Sequence, residues 1–476
     1  MTEIINGLFH GGFALPAIAL PLIAGLLLRA RRLRRKGLFL WDEAAFVRET
    51  GVTFRTFEFL FRNFGELRRL RGGADKAAVE DVRKRYVEHA AGDYVYYKPW
   101  HMFALRIGTA LTRQTDFGAA LPSLTFGLAA IAAVWGLGQM AQWPAAGLVG
   151  AAVLAVSGLH VLHSRSAEPE PGTALCFTMM LLLSLAHKSA FAAGGAEYLW
   201  SAQSLALLAG CGICLAGTML FNPGWIALTP PLFIAGEIVF GLASGSSAAA
   251  IAVSLGAPLS AAAATVVITD IPFILCAKLI PGIKIVPHTV KLYQLALRLF
   301  TAFAQRRADE SAVAQDELGV TLPRFYHLRF YPELLRHTEG AAVLIAAGAG
   351  LALSVARFTP AGLMLGAQLA IILGMLVVVP QKAARACVFW LPLLCLFAGA
   401  GLAAAPAWLG LPALAWILVR GFVYCWKIGN MTSAMRLAAE FVRARGETAF
   451  ASTSAPFTLL YGGKTPIAPR DRKSNV

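Results

Sequence analysis

Two adjacent carboxylates, Asp42 and Glu43, follow closely on the first long apolar run of the chain. Acidic side chains beside a membrane span are costly unless they are solvated, paired or used. A carboxylate at such a boundary can act as a general base that removes the proton of a hydroxyl group. Asp42 is the candidate base, and Glu43 is a candidate for orienting an acceptor or tuning its neighbour. The structural alternative is that Asp42 caps the helix that follows, since aspartate is a preferred N-cap residue.

A second pair of carboxylates, Glu168 and Glu170, lies in a turn that Pro169 and Pro171 stiffen. Two acidic groups so close to apolar runs can supply a second catalytic carboxylate. A solvated turn without a chemical role is the alternative interpretation, and the residues alone leave both open.

Three cationic residues, Lys98, Arg165 and Lys382, each lie at the edge of an apolar run. Cations in this position can stabilise the growing charge of a phosphate that leaves during a transfer reaction. The alternative is that their long side chains extend to the membrane interface without contacting a substrate. The residues alone leave both roles open, and all three are candidate phosphate-binding residues.

The composition indicates a polytopic membrane protein. Hydrophobic residues make up 57% of the chain and charged residues 14%, with a mean hydropathy of +0.63. Soluble domains contain about 25% charged residues. The formal net charge of +16 favours anionic partners such as lipid headgroups, phosphates or acidic sugars. Membrane lipids are therefore expected partners, and nucleic acid is not.

The apolar runs predict an all-α fold of about eleven transmembrane helices over residues 1–429, followed by a short extramembrane tail at 430–476. Two large polar loops cover 29–119 and 270–338. Within them, 52–70 and 290–307 combine basic and aromatic residues at helical spacing, which is typical of helices lying in the membrane interface. An odd number of spans gathers most polar loops on one face. This arrangement favours an enzyme at a membrane surface over a carrier with polar groups at the bilayer midplane.

Cysteine and histidine patterns predict no metal site. The seven cysteines lie in or beside apolar runs and are interpreted as buried thiols. His101, His160 and His163 lie near the same membrane boundary, where a structural role is the first interpretation. Small-residue patches at 348–350 and 399–401 favour close helix packing.

Seven motifs occur along the chain in a fixed order, and together they cover almost all of it. They are Trp41-Asp42-Glu43, Tyr97-Lys98-Pro99-Trp100, Leu121-Pro122-Ser123, Arg165 to Glu170, Phe221-Asn222-Pro223-Gly224, Arg329-Phe330-Tyr331-Pro332, and Pro380-Gln381-Lys382 followed by Leu391-Pro392. Their order and spacing resemble the GT-C membrane glycosyltransferases, in particular the branch of the protein O-mannosyltransferases and the aminoarabinose (lipid A) transferase. Asn222 stands where that branch has lysine.

The resemblance implies a GT-C fold and transfer of a sugar from a polyprenyl-phosphate-linked donor to an envelope acceptor, with inversion. The acceptor would be lipid A or lipopolysaccharide, another glycan, or a protein. Tyr97, His101 and Tyr331 join the substrate-binding candidates because they lie in the matching motifs. No cofactor is required by the pattern, although a divalent cation held by Asp42 and a phosphate is a candidate.

The resemblance also implies a bacterial inner-membrane protein with its active site on the periplasmic face. The positive-inside rule opposes this orientation, because the basic run 29–36 lies on the same face. Two other functions stay open from the residues alone. One is a lipid or polysaccharide transporter, and the other is a GT-C-like partner subunit that has lost catalysis.

Overall fold

The computed structural model describes residues 14–37, 41–71, 76–90, 98–112, 115–225, 228–283, 315–316, 326–378, 381–433 and 437. The first part of the chain folds into helices, which are α1 (Ala14–Ala30), α2 (Leu33–Lys36), α3 (Trp41–Arg62), α4 (Phe64–Leu70), α5 (Lys76–Ala90), α6 (Pro99–Thr112), α7 (Thr115–Met140), α8 (Pro144–Ala155), α9 (Gly158–Ser164), α10 (Glu170–Tyr198) and α11 (Ala202–Phe221).

The second part is also helical apart from one pair of two-residue strands. Its elements are α12 (Thr229–Ala243), α13 (Ala248–Leu279), β1 (Gln315–Asp316), α14 (Tyr326–Thr338), α15 (Ala341–Ala356), α16 (Pro360–Val378), β2 (Gln381–Lys382), α17 (Leu391–Ala404) and α18 (Ala407–Gly429). The two strands pair in parallel, with Asp316 opposite Lys382. Short 3-10 turns cover Pro223–Trp225 and Ala384–Cys387.

Length and composition identify the membrane-crossing helices. Within the described ranges, 5 helices are long and apolar enough to cross a bilayer, and up to 7 spans result if each of two bent helix pairs counts as one. Helices α12, α16 and α17 are apolar but shorter. The all-α, polytopic architecture is confirmed, and the count of about eleven spans remains a prediction.

The first-loop helices follow the amphipathic pattern with one difference. The segment predicted as one helix over 52–70 is part of α3 and α4, which meet at Asn63. Phe57 and Leu67 are buried, whereas Phe61 is 68% exposed. Phe57 packs edge-on against Phe273 of α13. The apolar stripe therefore divides between the protein core and an exposed apolar edge, as in a helix lying at an interface. The amphipathic segment 290–307 and the 430–476 tail beyond residue 437 lie outside the described residues.

Both bent helix pairs are stabilised by buried charged side chains. The bend between α8 and α9 is 62°, and that between α14 and α15 is 118°. Glu339 accepts hydrogen bonds from the backbone N–H groups of Gly158 (3.2 Å) and Leu159 (3.0 Å). Arg29 donates to the carbonyls of Leu154 and Ala155. These bonds satisfy helix ends that would otherwise be unpaired within the protein interior.

One ion pair joins α10 and α12 within the helical bundle. Lys188 donates to Glu237 at 2.7 Å, and Ser184 donates to the other carboxylate oxygen at 2.5 Å. A single glutamate inside an apolar run leaves the hydropathy of that run high, so hydropathy alone does not indicate this pair. The structure shows that this glutamate is paired with the lysine of a neighbouring helix, as buried charges must be.

Glycines allow α15 and α17 to approach closely. A Cβ added at Gly350 would collide with the carbonyl oxygen of Phe397, and one at Gly401 with that of Ala346. A Cβ at Gly348, by contrast, would meet nothing within 4 Å. The predicted close packing is confirmed at Gly350 and Gly401, while Gly348 faces away from the contact.

We expect Gly350→Ala and Gly348→Ala to differ in stability although the two positions are only two residues apart on α15. Gly350→Ala should lower the free energy of unfolding by about 2 kcal/mol through overpacking. Gly348→Ala should leave it unchanged or raise it by up to about 1 kcal/mol, because alanine favours the helix. Thermal unfolding in detergent measures both. Equal losses would show that the contact between α15 and α17 does not require glycine.

Candidate active site

The loop between α9 and α10 carries the two carboxylates at the centre of the site. The backbone N–H of Thr173 bonds to the carbonyl of Pro169, so Glu170 stands in the first turn of α10. An acidic residue is favoured there by the helix dipole. Glu168 and Glu170 are 1% and 2% exposed. The turn predicted from Pro169 and Pro171 is therefore buried rather than solvated.

His163, Glu168 and Glu170 form one compact cluster, and their ligand atoms all lie within 4.8 Å of one another. His163 Nδ1 and Glu168 Oε2 form a hydrogen bond. Among the described residues, Glu168 Oε1 and Glu170 Oε2 have no hydrogen-bond partner. Buried oxygens without partners are costly, which makes this cluster suited to a bound cation or a substrate hydroxyl.

This cluster fits a divalent cation, since carboxylate oxygens and an imidazole nitrogen are common ligands for such ions. The sequence predicts no metal ligands here, because His163 follows an apolar run and its first interpretation is a structural role. The signal that could have found the cluster is the local spacing of His163, Glu168 and Glu170 within eight residues, which brings the three groups together once the turn is tight.

The charge state of Glu168 follows from its neighbours. Burial raises the pKa of its carboxyl group. The charge of His163 and its hydrogen bond to Glu168 lower this pKa, and the charges of Arg385 and Lys36 add to that effect. The net result is a pKa below the ordinary value. Glu168 is therefore ionised at neutral pH. Arg385 also interacts electrostatically with Glu170 and His163.

Arg385 is a site residue that the sequence motifs did not identify. It lies in the 3-10 turn Ala384–Cys387, three positions after the predicted Lys382. The side chain of Lys382 lies outside the described residues, so its predicted phosphate contact stays a prediction. The presence of a second cation shortly after Lys382 was the available signal.

Asn222 contacts the carboxylate cluster directly. Its side-chain amide donates to Glu170 Oε1 at 3.3 Å, and its own carbonyl oxygen accepts the backbone N–H of Gly224 at 3.2 Å. Asn222 also ends α11. The position at which the resembling branch has lysine is thus part of the site, but it supplies a neutral donor instead of a positive charge.

The start of α6 brings Lys98 and His101 to the same place. The Lys98 ammonium lies 4.6 Å from the ring centre of Phe46, and His101 packs edge-on against that ring at 5.2 Å. Lys98 interacts electrostatically with Glu170, and His101 hydrogen-bonds to the backbone of Ala167. Burial, and then the charge of Lys98, lower the pKa of His101 well below its ordinary value, so the imidazole is neutral at physiological pH.

Arg165 has a role in the fold. Its guanidinium donates to the carbonyls of Leu28 (3.1 Å), Arg29 (2.8 Å) and Arg31 (2.7 Å), and to that of Gly429 (3.4 Å). It therefore joins the ends of α1 and α18. Burial lowers its pKa to about 10, which leaves it positively charged. Phosphate binding by Arg165 stays a prediction, and its donors are engaged by backbone carbonyls.

The remaining predicted residues divide between the first loop, the core and the undescribed segments. Glu43 is fully buried and accepts the backbone N–H of Ala167 at 3.1 Å. Asp42 is in the first turn of α3, and its side chain lies outside the described residues.

The structure describes one of the two predicted tyrosines. Tyr331, on α14, is buried in the main hydrophobic core of the protein beside Phe330. Tyr97 lies outside the described residues. The structure thus gathers Glu43, Lys98, His101, Glu168 and Glu170 around one loop.

The basic run 29–36 is partly used inside the protein. Arg29 is buried against backbone carbonyls and His160. Arg31 stacks on the ring of Trp426 at 3.2 Å and donates to Asn430. Lys36 pairs with Glu43. These contacts give the run a role in folding, separate from any role in setting membrane orientation.

Comparison with solved structures establishes the fold as GT-C. No protein-family model and no curated protein matches the chain. The archaeal oligosaccharyltransferase AglB from Archaeoglobus fulgidus, in complex with an inhibitory peptide and a dolichol-phosphate, matches 97% of this chain with a TM-score of 0.60 at 12% identity. The same organism's oligosaccharyltransferase in complex with Zn and sulfate matches 95% of this chain, with a TM-score of 0.58 at 13% identity.

ArnT from Cupriavidus metallidurans, bound to undecaprenyl phosphate, matches 95% of this chain and 75% of its own length, with a TM-score of 0.54 at 15% identity. The chain spans only 65% and 62% of the two oligosaccharyltransferase chains. At these identities the likeness defines the fold. The predicted GT-C architecture, with neighbours that include the ArnT-like branch, is confirmed.

Proposed function

We propose that the protein is a membrane glycosyltransferase that moves a sugar from a polyprenyl-phosphate-linked donor to a cell-envelope acceptor. The acceptor would be lipid A or lipopolysaccharide, another glycan, or a protein. The observation that carries the proposal is the buried cluster of Glu168 and Glu170, with unpartnered oxygens, beside the first-loop acidic pair of a GT-C fold. The lipid phosphates named with AglB and ArnT support a donor of the same class.

The proposed reaction is an inverting displacement. Asp42 accepts the proton of an acceptor hydroxyl, whose oxygen forms a bond to the anomeric carbon of the sugar. The bond between that carbon and the phosphate oxygen breaks, and polyprenyl phosphate leaves with the electron pair. Lys98 and Arg385 lie near the carboxylate cluster and supply positive charge for the departing phosphate.

A divalent cation is part of this proposal. Glu168 and Glu170 would hold it through the unpartnered oxygens described above, and a ring nitrogen of His163 would be the third ligand. When bound, such a cation supplies positive charge that favours the leaving phosphate. Asn222 holds Glu170 through a neutral hydrogen bond to Oε1, which leaves Oε2 available for the cation.

We place the active face on the periplasmic side of a bacterial inner membrane. The basic run on that face opposes this by the positive-inside rule. Because Arg29 and Lys36 are buried and paired within the fold, however, part of the run is explained without reference to the cytoplasm.

A transporter is the alternative from a different functional class. The ion pair of Lys188 and Glu237 and the two bent helix pairs are features that transporters use near the bilayer midplane. Their polar groups are satisfied within this protein, which favours a structural role. A transporter would move lipid across a bilayer without transferring sugar, whereas an inactive GT-C-like subunit would bind lipid and do neither.

Mass spectrometry of lipid that co-purifies with the protein tests the donor class. We expect a polyprenyl phosphate or its glycosylated form, retained through the phosphate by Lys98 and Arg385. Lys98→Met with Arg385→Met should lose it, while Arg62→Met, at an exposed position of α3, should retain it. Recovery of phospholipids alone, in the same amount from every variant, would contradict the proposed donor.

A further inference from the structure

Lys36 is a buried cation at the end of the four-residue helix α2. Its side chain is 3% exposed, and that of its partner Glu43 is 0% exposed. The ammonium lies 3.4 Å from both carboxylate oxygens of Glu43 and 3.4 Å from the hydroxyl of Ser166. Burying two charges costs several kcal/mol for each ion, and their attraction offsets this only in good geometry. Such a pair therefore contributes more to geometry than to stability.

The pair joins two segments that carry the proposed chemistry. Glu43 directly follows Asp42 at the start of α3, and its Oε2 accepts the backbone N–H of Ala167, which directly precedes Glu168. Lys36 contacts Ser166 on the same loop. The Lys36 carbonyl also accepts the backbone N–H of Ser433, just beyond α18, at 2.7 Å. Both acidic segments are thus tied to one ammonium group.

We propose that Lys36 and Glu43 are positioning residues that set the distance between Asp42 and the carboxylates of Glu168 and Glu170. This inference rests on the proposed function, in which these carboxylates act on one substrate. Glu43 binds Lys36 and the backbone of Ala167, and in this proposal its part is to hold these groups rather than to contact the acceptor. The basic run before Asp42 thereby has a function in this chain, since its last residue supplies the ammonium that orders the site.

The pair should act on turnover more than on donor binding. Misplacing a catalytic group by about 1 Å can lower a rate about 100-fold. We expect Lys36→Met and Glu43→Gln each to lower kcat by about 10- to 100-fold, while KM for the lipid donor changes less than about threefold. Arg35→Met, at the exposed neighbouring position, is the matched control and should behave as the wild type.

The double variant separates a pair from two independent residues. Lys36→Met with Glu43→Gln should lose no more activity than the worse single variant, because each change removes the same tie. Multiplied losses would overturn the inference, as would wild-type kcat in Lys36→Met.

If Lys36→Met does not fold, Lys36→Arg serves in its place. It keeps the charge, so it should fold, but its longer, planar group should lower kcat. Wild-type kcat in a folded Lys36→Arg would leave only a structural role and overturn the proposal.

The wild-type control distinguishes the two levels of the hypothesis. Absence of transfer by the folded wild type, with every acceptor, would refute the proposed function. Transfer by the wild type that Lys36→Met and Glu43→Gln both retain would refute only the positioning role.

Discussion

Replacing Asp42 with asparagine is expected to lower glycosyl transfer by about 100- to 10,000-fold, the usual contribution of a general base. Asparagine keeps the size of the side chain, but it cannot accept the proton of the acceptor hydroxyl. Binding of polyprenyl phosphate should stay within about threefold of the wild type, because the proposed phosphate contacts come from cationic groups on other elements. Transfer rates and lipid binding are measured on the same purified sample.

Asp81→Asn is the control for this experiment. Asp81 lies on α5, where it is solvent-exposed and pairs with Arg85, away from the carboxylate cluster. We expect Asp81→Asn to transfer at the wild-type rate. Full turnover in Asp42→Asn would show that another group is the base, and the carboxylates of Glu168 and Glu170 would be the next candidates.

Replacing Glu168 and Glu170 with glutamine is the second change with a large expected effect. Each substitution preserves shape but replaces a carboxyl oxygen of the buried cluster with His163 by an amide nitrogen, which cannot bind a cation. Loss of one ligand should weaken the binding of a divalent cation by at least about 10- to 100-fold, which is the effect of changing a group that only supports a metal ligand. We expect turnover to fall by a similar factor at limiting cation and to recover partly at high Mn²⁺ or Mg²⁺.

A titration of transfer rate against cation concentration measures this effect. Glu237→Gln is a useful contrast, because Glu237 is also buried but is paired with Lys188 elsewhere in the bundle. It should alter thermal stability without shifting the cation concentration for half-maximal rate. If Glu168→Gln and Glu170→Gln shift neither the rate nor this concentration, the cluster has no part in the reaction.

Most of the architecture was predictable from sequence, because the length and hydropathy of a span are local properties. The helices of the first loop were predictable for the same reason, with a break at Asn63 that propensity alone does not specify. The bends at Ser157 and Glu339 were not predictable. They depend on Arg29 and Glu339 reaching helix ends that are distant in sequence.

The site was predictable as a set of residue types more than as a set of contacts. The proline-flanked turn identifies Glu168 and Glu170 as candidates, but a solvated turn and a buried turn have the same sequence pattern. The role of Arg165 between α1 and α18 depends on two helix ends separated by most of the chain. The pairing of Asn222 with Glu170, across 52 residues, likewise exists only after the helices pack.

A single-turnover transfer assay tests the central proposal most directly. Purified protein in lipid nanodiscs is mixed with a polyprenyl-phosphate-linked sugar and, in parallel, with lipid A, lipopolysaccharide core and peptide acceptors. We predict release of polyprenyl phosphate together with an equal amount of glycosylated acceptor of inverted anomeric configuration, and loss of both products in Asp42→Asn. Donor that stays intact with every acceptor, while the protein moves lipid between the two leaflets of a vesicle, would contradict a glycosyltransferase and identify a transporter.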